Sequence, residues 1–274
     1  MTEVFKTTAG PIMPLSNWQD KNPALVAGFT TKSGGTSKGC FDSNNLGLHV
    51  DDKADTVALN RKILADKLGF PLTSWACAEQ THQDHIVKIT PELTGYGALE
   101  YKESIKGTDA FYTKETNVLL TLCYADCVPL YFYSAEQAMV GIAHAGWKGT
   151  VKNIGGKMIE LWQITEDVIP AEVKVTIGPS IGECCYRVDQ PVIEQVKEAL
   201  QPCSFKDKFY EEISAGQFSL DLKGINRQLL LQAGVLEENI QTSTYCTSCE
   251  KDLFYSHRRD QGKTGRMLSY IGFK

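Results

Sequence analysis

The sequence predicts an α/β fold with a mixed sheet, in one domain spanning residues 1–274. Three observations predict it. Apolar runs of strand length alternate with stretches of helical periodicity. Three of those runs, 118–122, 129–133 and 139–143, follow one another with only short polar breaks, as adjacent strands of a sheet do. No repeat, low-complexity tract or linker interrupts the chain. A hydrophobic content of 42% with 22% charged residues suits an ordinary globular protein with a sizeable core.

The elements follow in order. The first 20 residues show no clear period, and residues 24–30, ALVAGFT, read as a strand. The polar stretch TKSGGTSK that follows reads as a turn. Its glycines could cradle phosphate beside Lys32. It lacks Walker or dinucleotide spacing, which favours the plain turn. Val57, Leu59, Ile63, Leu64 and Leu68 recur at helical spacing, after acidic residues at 51–55 and before Gly69 and Pro71. Arg61, on this helix, reads as a solvated or ion-paired residue, with substrate contact as the minority reading. Residues 75–80 form an apolar run that ends at Gln80, Thr81 and His82, and a strand at 86–89 follows Asp84 and His85. A helix is expected over 151–162; Gly155 and Gly156 each weaken it by about 1 kcal/mol relative to Ala, so they predict close packing against a strand. A strand at 173–177 precedes a helix at 191–200 with Pro191 in its first turn. A helix at 220–233, closed by Gly234, and a strand at 241–245 come last.

The net charge of −5 argues against a nucleic-acid partner. No apolar stretch approaches the roughly 20 residues that span a membrane. No basic segment followed by an apolar one marks a secretory signal. Nine cysteines in such a chain read as reduced thiols of a cytoplasmic protein, some of them ligands or nucleophiles. The sequence does not set the oligomeric state.

Chemistry concentrates at strand ends. Cys127 closes YADC, between two apolar runs; His144 ends the third run; His82 ends the run at 75–80. A sheet could bring all three to one edge. Two imidazoles and a thiolate match a catalytic zinc site with one open position. Bound zinc lowers the pKa of its water to about 7. Asp126, beside Cys127, is then a group that orients the site or shuttles a proton. A metal-free alternative makes Cys127 a nucleophile and His144 its base. The plainest alternative makes Cys127 a small buried hydrophobe and His144 a helix-entry residue.

Cys246 and Cys249 form a CxxC with no second CxxC or His pair to complete a zinc knuckle. They read as incidental spacing, inert packing or a redox pair, and Cys184–Cys185 as a turn after a strand. Arg258, Arg259 and Arg266, with His257, Gly262 and Gly265, suit bidentate capture of phosphate or carboxylate. A solvated loop with ion pairs is the alternative.

The motifs AEQTHQDHIV, YADCVPL, HAGWKGTV, IGPSIGECCYRV and YSHRRDQGKTGRM resemble, in order, those of the multicopper polyphenol oxidase (laccase-like) domain family. The opening GFTTKSGGTSKGCFDSNNLGL resembles it too, so the match covers about residues 26–272. The resemblance implies a four-layer α/β/β/α arrangement, distantly similar to bacterial deamidating toxins with a Cys–His pair. It implies a zinc-dependent purine nucleoside phosphorylase acting on adenosine, inosine, guanosine and methylthioadenosine, with adenosine deaminase activity by water attack at C6. His82, Cys127 and His144 match the family's zinc ligands, and Asp126 and Cys127 are the catalytic candidates. Lys32, Asn45, Arg61, Arg258, Arg259 and Arg266 are the substrate-binding candidates for nucleoside and phosphate. Copper is the alternative metal, as in a polyphenol oxidase, although five histidines cannot build a multicopper set. Some relatives are linked to peptidoglycan editing, which keeps a metal-free hydrolase or amidase of cell-wall precursors as an alternative. The family often carries Arg where Lys32 and Lys148 stand, so a bidentate role is in doubt at both. His257 stands where the family often has an aromatic or other residue, and His85 matches no family ligand.

Overall fold

The computed structural model describes residues 2–8, 10–20, 22–200 and 209–274. Strands β1 (Ile12–Pro14) and β2 (Leu25–Thr30) flank the single turn α1 (Ser16–Gln19). Helix α2 (Ala54–Leu68) leads to β3 (Trp75–Cys77) and β4 (Ile86–Lys88). Then come β5 (Ala110–Thr113), β6 (Val118–Tyr124), β7 (Val128–Ser134) and β8 (Met139–Ala145). Helices α3 (Trp147–Val151) and α4 (Ile154–Glu166) follow, with β9 (Lys174–Ile177), β10 (Arg187–Asp189) and α5 (Gln190–Ala199) after them. The chain closes with β11 (Tyr210–Ser214), β12 (Gln217–Leu220), α6 (Leu222–Gln232), β13 (Ile240–Thr242) and β14 (Met267–Phe273).

Two large mixed sheets result. One runs β1-β2-β14-β6-β3, with β14 antiparallel to both neighbours and β3 parallel to β6. The other runs β13-β9-β7-β8-β5-β4, antiparallel at its centre and parallel at both edges. A small third sheet, β10-β12-β11, shares no strand pairing with either. Side chains alternate faces along each strand. Leu120, Leu122, Tyr124 and Ile271 meet Tyr131, Tyr133, Val140 and Ile142 between the two sheets. The alternate residues face outward. Leu119, Leu268 and Tyr270 pack on Leu64 and Leu68 of α2. Leu130, Phe132, Ala143 and Val175 pack on Met158, Trp162, Ile193 and Leu229 of α4, α5 and α6. The layers are therefore α/β/β/α, as the resemblance implies. Covering both faces of each sheet explains why the central strands read as unbroken apolar runs rather than alternating ones.

Several boundaries differ from the sequence expectation for local reasons. The helix expected at 151–162 is broken into α3 and α4, because Asn153 takes φ 57° between them. Its side chain accepts the Gly156 N–H at 3.0 Å and so caps α4. Gly155 does pack on a strand: a Cβ there would lie 3.0 Å from Leu130 Cδ1. Strand β3 stops at Cys77, and Gln80 continues the pairing by its side chain. Gln80 Nε2 donates to the Cys123 carbonyl at 2.9 Å, and its Oε1 accepts the Cys123 N–H at 2.7 Å. This tether aims the next residues, Thr81 and His82, across the end of β6. Strand β14, unassigned in the sequence reading, occupies the centre of its sheet. Among the described residues, no helix is long and apolar enough to cross a membrane.

Candidate metal centre and binding pocket

The β6–β7 connection and the end of β8 form the floor of the site. Only residues 125–127 join β6 to β7. Asp126 adopts φ 87° there, so the chain reverses sharply and presents Cys127 at the mouth of β7. His144 lies within β8, opposite Pro129 of β7. His82 arrives from the loop after β3 with φ 59°. The ligand atoms of His82, Cys127 and His144 all lie within 4.8 Å of one another. The two imidazole rings are 4.8 Å apart and nearly perpendicular, at 80°.

Asp109, just before β5, locks this geometry, and the sequence reading does not single it out. Its Oδ1 lies 2.9 Å from His144 Nδ1 and accepts the His82 N–H at 3.0 Å. Its Oδ2 accepts the N–H groups of Thr81 and Gln83 at 3.1 and 2.8 Å. One buried carboxylate thus fixes the His144 ring and holds the strained turn that carries His82. Occupying Nδ1 leaves His144 Nε2 for a metal, the usual role of such a carboxylate.

The donor set fits one metal ion: two imidazole nitrogens and a thiolate, three protein ligands with a fourth position open. The backbone makes room for it at Gly146. A Cβ there would sit 3.1 Å from Cys127 Sγ and 3.4 Å from His82 Cδ2. In the metal-free protein the same residues share charge. Burial alone would raise the Cys127 thiol, but the His144 imidazolium, by charge and hydrogen bond, and then His82 bring it down to about 6. Burial alone would lower His144, but the Cys127 thiolate and Asp109 lift it to about 9. The pair is therefore thiolate and imidazolium at neutral pH. Its stabilisation fades as pH falls through about 6, where the thiolate protonates, and as pH rises through about 9, where the imidazolium loses its proton. Alkylation of Cys127 in chelator-treated protein should hold its rate down to about pH 6, far below the ordinary thiol value. Peptide mass spectrometry across a pH series would show it, and a midpoint near 9 would contradict the ion pair.

A pocket of about 410 Å³ opens above these ligands. That is the size of site that takes a small organic molecule. Trp147, Tyr186 and Tyr101 supply aromatic walls, and His49, Gln80, Arg258 and Arg266 supply polar ones. Burial, then the charges of Arg266 and Arg61, lower His49 to about 4, so it is neutral at pH 7. His49 is another lining residue that the sequence reading passes over, since FDSNNLGLHV has no period to place it.

The other predicted residues are distributed unequally. Arg258 and Arg266 reach the pocket. Arg258 lies over the Tyr186 ring at 5.1 Å, and its Nη1 donates to the Arg187 carbonyl. Arg259 does not reach it, because its guanidinium is held by Asp260 and by the carbonyls of Thr247, Ser248 and Phe254. Lys32 lies beside Arg259 in a separate open groove lined by both acidic and basic residues. Asn45 is buried and accepts the N–H groups of Gly47 and Arg266, so it positions the Arg266 backbone. Asp126 touches the pocket, but its carboxylate already accepts from Thr247 Oγ1, Ser256 Oγ and the Arg258 N–H, at 2.6 to 3.0 Å. That placement makes it the anchor of the loop that carries Arg258. His85 lies outside the pocket, 3.3 Å from Thr108 Oγ1.

Arg61 corrects the expectation of a solvated or substrate-facing residue. It is 3% exposed and donates to the carbonyls of Leu46, Gly97 and Ala98 at 2.7 to 2.9 Å. Arg61→Met should destabilise the fold by about 3 kcal/mol, because these buried carbonyls lose their donors. A denaturant titration would read the loss; a stability unchanged from wild type would contradict this role.

The chain is similar to known proteins over nearly its full length. The family model described as "Multi-copper polyphenol oxidoreductase laccase" matches residues 26–274. The purine nucleoside phosphorylase YlmD of Geobacillus stearothermophilus is 51% identical over 247 residues, which cover 90% of this chain and 89% of that one. The purine nucleoside phosphorylase YlmD of Bacillus subtilis is 46% identical over 273 residues, covering 98% and 97%. The crystal structure of YlmD from Geobacillus stearothermophilus superposes with a TM-score of 0.96 at 46% identity, over 100% of both chains. With that match in sequence and fold, the chain belongs to the multi-copper polyphenol oxidoreductase laccase family.

Proposed function

We propose that the chain is a zinc-dependent purine nucleoside phosphorylase, with adenosine deamination as a second activity of the same pocket. The observation that carries this is the convergence of His82, Cys127 and His144 on the floor of a nucleoside-sized pocket, beside two arginines. Relatives that share nearly the full length bear the phosphorylase name. Zinc is preferred over copper because a multicopper centre needs far more imidazoles than five histidines provide. Bound there, zinc supplies a Lewis acid and a water that ionises near pH 7, the chemistry that hydrolytic deamination at C6 of adenosine requires.

The protein's own groups do the rest. Trp147 and Tyr186 offer apolar faces for the purine, and neutral His49 and Gln80 offer hydrogen bonds at its edge. Arg258 and Arg266 hold phosphate as a charge-assisted clamp. In phosphorolysis a phosphate oxygen bonds to C1′ of the ribose, the C1′–N9 bond breaks, and the purine leaves with its bonding electrons and takes up a proton. Clamping phosphate beside the sugar turns this encounter into an oriented, effectively unimolecular step. Arg266→Ala should raise KM for phosphate by about 10–100-fold, corresponding to about 1.5–3 kcal/mol for a hydrogen bond to a charged group. A phosphate titration at saturating inosine checks it, and an unchanged KM would remove Arg266 from the clamp.

The metal-free alternative has its own observation, since Cys127, His144 and Asp109 stand in the order of nucleophile, base and orienting carboxylate. Incubating the protein with inosine, with and without phosphate, tests the main reading. Hypoxanthine and ribose 1-phosphate should form only with phosphate; no product with phosphate present would overturn it. The eight described cysteines are all free thiols, which suits a reducing compartment such as the cytoplasm. Nucleosides and phosphate are the partners this reading requires.

A further inference from the structure

A second group of metal-ligand character lies outside the pocket floor. Sequence spacing leaves Cys184–Cys185 as a turn and Cys246/Cys249 as an incidental or redox pair; the structure brings all four together. The Gly182 carbonyl accepts the N–H groups of Cys185 and Tyr186, both at 3.0 Å. This turn places the Cys184 and Cys185 sulfurs on the same side, 3.8 Å apart. A parallel bridge between Ser180 and Cys246 brings the second segment alongside. Cys249 Sγ then lies 3.6 Å from Cys184 Sγ and 3.5 Å from Cys185 Sγ. All four sulfurs lie within 4.8 Å of one another.

These separations match one ion and no disulfide. Four sulfurs at a Zn–S distance of about 2.3 Å form a tetrahedron with edges of about 3.8 Å. A disulfide would draw two sulfurs to about 2 Å. The backbone favours negative charge on the Cys246 sulfur. The Gly182 N–H donates to Cys246 Sγ at 3.2 Å. The Lys223 ammonium is buried against the carbonyls of Ser243 and of Tyr245, the residue before Cys246.

We propose that Cys184, Cys185, Cys246 and Cys249 hold one structural zinc ion. Soft thiolates in a four-sulfur tetrahedron select zinc, and four protein ligands leave no open position for substrate. The ion acts by fastening the turn after β9 to the segment between β13 and β14. The first segment carries Tyr186 and the second carries Arg258, which stack to form one wall of the pocket. The second also carries Thr247 and Ser256, the hydroxyls that hold Asp126 behind Cys127. Zinc at the cysteines therefore rigidifies the wall of the pocket without touching what binds there.

The test is zinc content by elemental analysis of the full chain, purified under reducing conditions and loaded with zinc. Wild type should hold two ions per chain, Cys249→Ser one, His82→Asn one, and the double variant none. His82→Asn protein reloaded with cobalt should show the intense thiolate charge-transfer bands of a tetrahedral four-sulfur site. If Cys249→Ser fails to fold, the cobalt spectrum of His82→Asn and thiol mapping of wild type still decide. In native protein zinc should shield the four cysteines from alkylation, and denaturation in chelator should make all nine of the chain's cysteines reactive. If the pocket takes no zinc, wild type holds one ion and His82→Asn keeps it, which supports the cysteine site independently of the proposed activity. A His82→Asn protein without zinc, iron in its place, or a disulfide among the four would overturn the proposal.

Discussion

His82→Asn should lower phosphorolysis of inosine by about 10³-fold and remove one zinc ion per chain while the protein stays folded. The substitution is chosen for the backbone. His82 sits at φ 59°, a region Asn tolerates better than most residues. Its N–H still reaches Asp109, so the turn survives. What is lost is one of three metal donors. Metal-ion stabilisation of developing charge is worth several kcal/mol, and about 4 kcal/mol corresponds to about 10³ in rate. The variant also separates two chemistries. It leaves Cys127, His144 and Asp109 in place, so a metal-free thiol hydrolase would keep most of its activity. Steady-state rates together with metal content decide between them.

Asp109→Asn should cost about 10–100-fold in zinc affinity and activity, the usual effect of removing the carboxylate behind a metal-bound imidazole. The geometry explains why the isostere does not rescue. Oδ1 serves the His82 N–H and His144 Nδ1, while Oδ2 serves the N–H groups of Thr81 and Gln83. An amide must turn its NH₂ towards one of these donor sets, setting donor against donor on a buried path. Burial would raise the Asp109 carboxyl, but His144 and the backbone donors together hold it below the usual carboxylate range. Its stabilising contribution is therefore present at neutral pH and lost only as acid protonates it. Asp109→Asn should accordingly flatten the acid limb of a stability-against-pH curve. Unchanged zinc affinity by competition with a chelator would contradict this role.

The strand-end positions of Cys127 and His144 were legible in the sequence because both are local to apolar runs. The runs that become β6, β7 and β8 bracket Cys127 and His144, and strand ends can be read from hydropathy alone. His82 was legible for the same reason. Asp109 was not. Its partners His144 and His82 lie 35 and 27 residues away, and nothing in TDAFY distinguishes a carboxylate that gathers an imidazole and three backbone N–H groups from one that faces water. The four cysteines were hidden by the same non-locality, since 65 residues separate Cys184 from Cys249 and their segments meet only through tertiary contacts such as the bridge between Ser180 and Cys246. The arginines show a third limit. Composition marked Arg258, Arg259 and Arg266 as one cluster, but Arg259 turns to Asp260 and three carbonyls while the other two reach the pocket. Arg61, on a helix of ordinary amphipathic pattern, gave no sign that it would be buried against backbone carbonyls. Layer order was implied by the family resemblance, whereas the apolar runs by themselves predict only an α/β fold with a mixed sheet.

The most direct test of zinc-dependent phosphorolysis is turnover of inosine with phosphate before chelation, after verified removal of zinc, and after zinc is restored. The account predicts activity in the first sample, loss of at least about 10³-fold in the second, and recovery in the third with zinc but not with copper. Turnover that persists unchanged in protein shown by elemental analysis to be free of zinc would contradict it.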